Sequence, residues 1–385
     1  RRLQALDRVL RGLVLHRLPN GFSFFQAMSL AGKIGKLNAV DFSFDFQRRY
    51  TFWSGLLGGF FLALSYFGTD QSQVQRYLAG GSLVAGRLGL IFNAVLKVPM
   101  QLFVLLTGVM VFIFFQFEKP PLFFNQPAYE RASQSAAAGS LAVLQTRYDQ
   151  AFAKKEIGVR ALTNAMNSQA SPAIAAATDV VRQEQKEVDG IRREAKELLK
   201  TADPKIETND ADYIFISFVL HYLPHGIIGL LIAVIFCAGM SSSASELNAL
   251  GSTTVVDFYR PLLHPGAKEA HYLFVSKLFT AAWGCVAISF ALFANLVENL
   301  IQAINILGSI FYGSILGIFL VAFFLRFVRG SAVFFAALLS QTLVLVLFYS
   351  TTIGYLWYNL IGCLMVLGFS AFFQKTFSTE SPNEP

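Results

Sequence analysis

Long apolar runs, most of them about as long as a membrane-crossing helix, alternate with polar stretches along this chain. A helix needs about 20 apolar residues to cross roughly 30 Å of hydrocarbon. Seven runs approach or exceed this length, and they lie at 52–68, 88–117, 226–242, 273–296, 301–327, 332–349 and 355–373. The pattern predicts an all-α polytopic membrane protein with about seven transmembrane helices.

The polar stretches divide the chain into five predicted parts. Residues 1–50 are mixed in composition, and leucines at helical spacing stand among arginines near their start, which predicts an extramembrane connector with an amphipathic helix. Transmembrane helices fall in 51–117 and 213–375, separated by a polar insertion at 118–212. Residues 376–385 are polar and are predicted to form a disordered tail.

The insertion at 118–212 is predicted to be a helical hairpin that projects into water. It is rich in Ala, Gln, Lys and Glu, and its apolar residues follow heptad-like spacing in two stretches that Ser171 and Pro172 separate. The heptad positions are Leu141, Leu144, Tyr148 and Ala151 in the first stretch and Val181, Val188, Ile191 and Leu198 in the second. Because long loops cross a membrane largely regardless of their charge, the composition of the insertion does not orient it.

Composition and charge agree with a membrane protein and argue against a soluble domain. Of the 385 residues, 54% are hydrophobic and 14% are charged, against about 45–50% and about 25% in soluble domains. The net charge is +7, and many of the cations lie in alternate loops. They are Arg76, Arg87 and Lys97, then Arg260, Lys268 and Lys277, then Arg326 and Arg329. Cytoplasmic loops carry such an excess, so we expect this side to be cytoplasmic and the insertion to be extracellular.

The most informative polar group is a cluster of serines where the apolar run at 226–242 ends. Polar groups inside a bilayer are costly unless they are paired or solvated, so each is a functional candidate. Ser241 and Ser242 follow Ala238 by three and four residues, which places both side chains above its carbonyl on one helical face. These three oxygens suit a weakly held alkali cation. Alternatively, the serines bond carbonyls four residues earlier or let helices pack closely.

Polar residues at three other places in the apolar runs are further candidates. Asp70 and Arg76 could pair at a helix end in a structural role, and Tyr66, one turn deeper, could close over a ligand or anchor at the interface. Lys97 could donate hydrogen bonds in a polar cavity or extend its ammonium group to the cytoplasm. Gln302 could bind a hydroxylated solute through its amide or serve in packing between helices.

Four strings in this order resemble the sodium:solute symporter family, the group of the sodium/glucose cotransporters. They are SYFGTDQSQVQRYL at 65–78, LKVPM at 96–100, MSSSASELNAL at 240–250 and DFYRP at 257–261. The resemblance implies an inverted-repeat, LeuT-like fold with the solute site near the midplane of the membrane. It also implies that the first five runs are core helices six to ten and that the last two are peripheral. The chain would then be an N-terminally truncated fragment, with the first-repeat helices expected from upstream sequence.

The resemblance implies a sodium site on the eighth core helix. By position, the Ala238 carbonyl and the Ser241 and Ser242 hydroxyls match the sodium ligands of the family on that helix. The remaining ligands of the family site come from the first core helix, so these three groups represent half of the coordination shell. Sodium is the coupling ion that the resemblance implies.

The resemblance also implies residues that contact the solute. Tyr66 matches the inner gate residue beneath the substrate, with Asp70 and Arg76 following it, and Lys97 and Gln302 match polar contacts in the sugar-carrying members. Three departures from the family pattern weaken a sugar assignment. They are Ala63, where a polar contact can occur, Phe67, which replaces a frequent tryptophan, and Gly308 with Ser309, where the common proline of the family is missing.

These observations favour a secondary active transporter that carries a small polar organic solute, such as a sugar, with sodium across the plasma (inner) membrane. Alternative cargoes are a carboxylate, a vitamin or an inorganic anion. A scaffold or receptor acting through the insertion is another alternative. An enzyme using Asp70, His221 or His225 is disfavoured because the sequence has no nucleophile elbow and no HExxH motif. We expect the partners to be sodium, the solute and the lipid bilayer, and not nucleic acid.

Overall fold

The computed structural model describes residues 22–38, 40–78, 80–204, 206–293 and 300–379, and this part of the chain is helical, without strands. In chain order the helices are α1 (Phe24–Lys33), α2 (Gly59–Thr69), α3 (Gln71–Leu78), α4 (Leu83–Phe117), α5 (Gln126–Ser133), α6 (Ala138–Asn167), α7 (Ser171–Ala202), α8 (Ala211–Tyr222), α9 (His225–Thr253), α10 (Glu269–Phe293), α11 (Leu300–Phe324), α12 (Gly330–Ser350) and α13 (Trp357–Thr379). A π-helical turn, Ser54–Gly58, leads into α2, and a second π-helical segment, Thr254–Leu263, extends α9.

Six helices of the described residues are long and apolar enough to cross a membrane. They are Leu83–Phe117, His225–Leu263, Glu269–Leu292, Ala303–Phe324, Gly330–Ser350 and Trp357–Thr376. Ser54–Thr69, at the first predicted run, is apolar but shorter. The all-α, multi-span prediction is therefore confirmed, with six long helices and one short one in place of seven similar ones. The largest difference in boundaries is in α9, which continues as a helix well beyond residue 242.

The chain forms two compact units, one made of residues 1–39 and 95–236 and the other of residues 40–94 and 237–385. Helices α4 and α9 each contribute residues to both units. In the first unit, α6 and α7 form an antiparallel hairpin around the turn at 168–170, where Gln169 has a φ of 54°. Heptad positions of both helices meet in its core. Its buried residues include Leu144, Tyr148, Ala151, Val188, Ile191 and Ala195.

The base of this hairpin is held by a buried carboxylate. Asp210, which is 2% exposed, accepts hydrogen bonds from Arg192 at 2.7 Å and from the Phe124 backbone N–H at 2.9 Å. The Lys196 ammonium lies 2.6 Å from the other carboxylate oxygen. A buried charge is stable only when it is paired in this way, so Asp210 fixes α7 to the chain that precedes α8.

Helix α1 packs against the same unit. It begins with a capping box, in which the Ser23 hydroxyl accepts from the Gln26 N–H and the Gln26 side chain accepts from the Ser23 N–H. Its buried face lies in one apolar cluster with the end of α4 and with the hairpin. The leucine-rich stretch at 3–13, for which an amphipathic helix is predicted, lies outside the described residues.

In the second unit, α11 and α13 pack at very close range. An added Cβ on Gly313 would lie 2.5 Å from the Asn359 carbonyl oxygen, so glycine is required where the two backbones meet. Helix α2 packs on α11 as well, and the Ser65 hydroxyl donates to the Tyr312 carbonyl oxygen at 3.0 Å. This contact anchors the end of α2, where the candidate site begins.

Candidate functional site

The helix break between α2 and α3 is built around one carboxylate. Asp70 has extended backbone angles, φ −73° and ψ 119°, which end α2. Its Oδ1 atom then accepts from the Ser72 backbone N–H at 2.9 Å and from the Ser72 hydroxyl at 2.6 Å. A carboxylate that accepts from the first free N–H groups of a helix acts as its N-terminal cap. The aspartate of the motif at 65–78 therefore starts α3.

A second carboxylate reaches the same hydroxyl from α9. The Glu246 Oε1 atom lies 2.7 Å from the Ser72 oxygen, although the two residues are 174 positions apart in sequence. A serine hydroxyl carries one proton, so it can donate to only one of the two carboxylate oxygens at a time. These three side chains are termed here the Asp70–Ser72–Glu246 cluster.

The serines predicted to bind sodium lie on the same helix as Glu246. Ala238, Ser241 and Ser242 are all in α9 and all exposed. Several other hydroxyls in the membrane-crossing helices donate to the carbonyl four residues earlier. They are Thr107, Ser245, Thr254, Thr280, Ser289 and Thr342. Within the described part of the chain, the Ser241 and Ser242 hydroxyls make no such bond, so their oxygens are available to a ligand.

The serine group and the carboxylate cluster share one face of α9. Ser242 and Glu246 are four residues apart, about 6 Å along the helix axis, and therefore lie one above the other. Neutral carbonyl and hydroxyl oxygens with a carboxylate one turn away form a donor set for a hard monovalent cation. The described residues contain no cluster of three or more His, Cys, Asp or Glu side chains that could hold a metal ion.

Asp70 and Arg76, which could pair at a helix end by their sequence, are not joined by an ion pair in the described residues. The Arg76 side chain is exposed, while the carboxylate caps α3. The reason is helical geometry, since six residues correspond to a rotation of about 120° from the capping position. Tyr66 lies one turn before Asp70 and is half-buried, with its ring edge-to-face against Phe67 at a centroid distance of 5.2 Å.

The two remaining solute candidates are placed differently. Lys97 lies on an exposed stretch of α4, in the unit of residues 1–39 and 95–236. The side chain of Gln302 lies outside the described residues, although its backbone is in α11. Their roles as solute contacts therefore stay predictions.

Sequence reasoning missed Ser72 and Glu246 as site residues. Both stand inside the strings at 65–78 and 240–250, but neither lies within an apolar run, where the cost of a polar group would mark it as a candidate. An acidic residue four positions after a serine on a predicted helix was the signal that could have found Glu246. Ser72 could be found only through the fold, because its partner is distant in sequence.

Comparisons with known proteins support the fold and the family. A model of the sodium:solute symporter family matches residues 200–340. A sodium-dependent multivitamin transporter of Oryctolagus cuniculus is 22% identical over 298 residues, which are 77% of this chain and 34% of that protein. A human sodium/iodide cotransporter is 35% identical over 95 residues, which are 23% of this chain and 14% of that protein. The chain thus spans about a third of the length of the multivitamin transporter.

A solved structure shares the fold. The substrate-bound, outward-open state of a Na⁺-coupled sialic acid symporter matches 97% of this chain and 60% of its own chain, with a TM-score of 0.56 and 18% sequence identity. The predicted inverted-repeat, LeuT-like fold is confirmed by this likeness. The relatives are named as transporters and cotransporters, which agrees with the prediction of a carrier that is not an enzyme. Residues 200–340 thus resemble the sodium:solute symporter family.

Proposed function

We propose that the protein is a secondary active transporter that couples the entry of sodium to the uptake of a small polar solute. The observation that carries this proposal is the group of Ala238, Ser241 and Ser242 on α9. Its two hydroxyls make no bond to their own helix within the described residues, and an alkali cation can take oxygens of this kind in place of part of its water shell.

The energetics suit a weak, reversible cation site. A membrane potential contributes about 2.3 kcal/mol per elementary charge per 100 mV, enough to concentrate a solute more than tenfold for each sodium ion. The ion must also leave on the cytoplasmic side, which neutral oxygen ligands allow and a cage of carboxylates does not. Glu246, one turn away, supplies a single negative charge that attracts the cation without enclosing it.

The solute is proposed to be small and polar, with Tyr66, Lys97 and Gln302 as contacts. The relatives carry diverse cargoes by name: vitamins, iodide and sialic acid. Lys97 is a cation in the membrane-crossing helix α4 and favours a solute with a negative charge, such as a carboxylate or an inorganic anion, at least as well as a neutral sugar. We propose the plasma (inner) membrane as the location, with Arg76, Arg260, Arg326 and Arg329 on its cytoplasmic side.

The test is uptake of labelled solutes by proteoliposomes with an imposed sodium gradient, over a panel of sugars, carboxylates, vitamins and iodide. For any solute that is transported, Ser242→Ala should raise the sodium concentration for half-maximal uptake about tenfold or more, because the sodium ion loses one of its oxygen ligands. Ser243→Ala is the matched control, since Ser243 is exposed on α9 about 100° further around the helix.

Two outcomes would overturn the proposal. If the uptake of every transported solute were independent of the sodium gradient, sodium symport would be excluded. If Ser242→Ala and Ser243→Ala had an equal, small effect on the sodium activation of uptake, a sodium site on this face of α9 would be excluded.

A further inference from the structure

A groove opens between α11 and α12 where the two helices are joined. Its volume is about 640 Å³, and ten residues line it. Most of them are aliphatic, and they include Ile318, Val321, Leu325, Val328, Val333 and Ala337. The polar exception is Arg326, which lies in the short connection between the two helices. Both helices are candidate membrane spans by length and composition, and the Arg326 guanidinium group belongs to the connection that joins them.

The charge around this groove has one sign. The sequence from 300 to 379 contains three cations, Arg326, Arg329 and Lys375, and no Asp or Glu. All three lie at the same end of the helices, since the Arg329 N–H donates to the Gln374 side-chain oxygen at 2.8 Å and so brings the end of α13 beside the connection. Arg326 is exposed and forms no ion pair with a described residue. The connection between α11 and α12 therefore carries two cations, Arg326 and Arg329, and no acidic residue.

From these observations we infer that the groove binds a phospholipid with an anionic headgroup, with an acyl chain between α11 and α12 and the phosphate on Arg326. Aliphatic walls accommodate a hydrocarbon chain. The planar guanidinium group binds phosphate oxygens in a bidentate manner, and Arg329 adds to the positive potential. Basic pockets between transmembrane helices at the cytoplasmic surface bind anionic headgroups by this combination. The inference requires that the chain spans a membrane, but it is independent of the cargo and of sodium.

The experiment is native mass spectrometry of the delipidated protein, titrated in mixed micelles with phosphatidylglycerol or phosphatidylcholine of identical chains. We expect the protein to bind phosphatidylglycerol at least about tenfold more tightly, the difference that hydrogen bonds to a charged group supply. Arg326→Gln should remove this preference. Lys268→Gln, which removes an exposed cation outside the groove, should leave it unchanged.

A second variant tests the acyl chain. Ala322 lines the groove and is exposed, so Ala322→Phe fills the groove from its open side and should weaken binding of both lipids. The thermal unfolding midpoint in detergent alone shows whether the variants are folded, and the shift on adding phosphatidylglycerol should shrink in each groove variant.

Any of four results would overturn the inference. One is equal affinity of the wild-type protein for the two lipids, which would make the groove a site for any acyl chain. Another is an unchanged preference in Arg326→Gln or unchanged binding in Ala322→Phe. The last is displacement of the bound lipid by inorganic phosphate at equal concentration, which would indicate an anion site without an acyl chain.

Discussion

One lysine occupies a core position of the α6–α7 hairpin. Lys155 follows Tyr148 by seven residues and precedes Leu162 by seven, so it takes the same heptad position as these two buried residues. It is 3% exposed, and its ammonium nitrogen lies 5.1 Å from the centre of the Phe152 ring. Burial lowers the pKa of Lys155 to about 8, and the positive charge of Arg192 acts in the same direction, against the opposing effect of Asp189.

The lowered pKa makes the stability of the hairpin depend on pH. Between pH 8 and 10.5 the unfolded chain keeps the Lys155 proton and the folded hairpin loses it, so the free energy of unfolding rises with pH in this range. A shift from 10.5 to about 8 corresponds to about 3 kcal/mol, since each pKa unit is worth about 1.4 kcal/mol. Near pH 7 both states carry the charge, and the folded state bears the whole cost of burying it.

Lys155→Met removes this cost. We expect the free energy of local unfolding of α6 and α7 to rise by up to about 3 kcal/mol at pH 7. The difference from the wild-type protein should shrink towards zero above pH 10. Hydrogen exchange of the α6 and α7 amides, corrected for intrinsic rates at each pH, measures this free energy. Lys154→Met is the control, because the neighbouring Lys154 is exposed and should show neither effect.

Two results would refute this reasoning. Destabilisation of the hairpin by Lys155→Met at pH 7 would mean that the ammonium group is held by favourable contacts that outweigh its desolvation. A difference between the two proteins that stays constant from pH 7 to 10.5 would mean that Lys155 does not titrate in this range.

Three other substitutions test the remaining features. Asp210→Ala leaves two half-buried cations, Arg192 and Lys196, without their partner and should lower the free energy of local unfolding at the hairpin base by about 1–3 kcal/mol, measured by exchange of the amides next to 210. Gly313→Ala should lower the thermal unfolding midpoint because its Cβ meets the backbone of α13, whereas Gly368→Ala, with no heavy atom within 4 Å of the added Cβ, should not. Glu246→Gln should weaken sodium activation of uptake about fivefold by removing a charge near the serines. Unchanged sodium activation would exclude Glu246 from the site.

The sequence was sufficient for the features that depend on local pattern. Apolar runs predicted each membrane-crossing helix, because the cost of an unpaired backbone group in hydrocarbon leaves few alternatives to a helix. The ends of the helices were harder to predict. The run at 226–242 ends where the side chains become polar, but α9 continues, since hydroxyl side chains remove apolar character without breaking a helix.

The features that depend on distant partners were not predictable in this way. The contact of Ser72 with Glu246 joins residues 174 positions apart, and only packing brings α3 to α9. Asp210 likewise finds Arg192 through the fold of the hairpin base, and it looked in sequence like one of several acidic residues before α8. The burial of Lys155 was not predicted for another reason, because a lysine in a polar insertion is expected to be solvated. Only its heptad position, shared with Tyr148 and Leu162, places it in the core.

The arrangement on α9 would connect the proposed cation site to the packing of α3. The Ser72 hydroxyl proton serves two carboxylates, so Glu246 and Asp70 compete for it. A sodium ion beside Ser242 would neutralise part of the negative charge on Glu246, one turn away. The Ser72 hydroxyl would then donate to Asp70 in preference to Glu246. Losing this hydrogen bond would weaken the contact between α3 and α9. Sodium binding and this contact are then linked, and each must shift the other by the same free energy. The effects of Ser242→Ala and Glu246→Gln on sodium activation should therefore be non-additive, as expected for residues in one network.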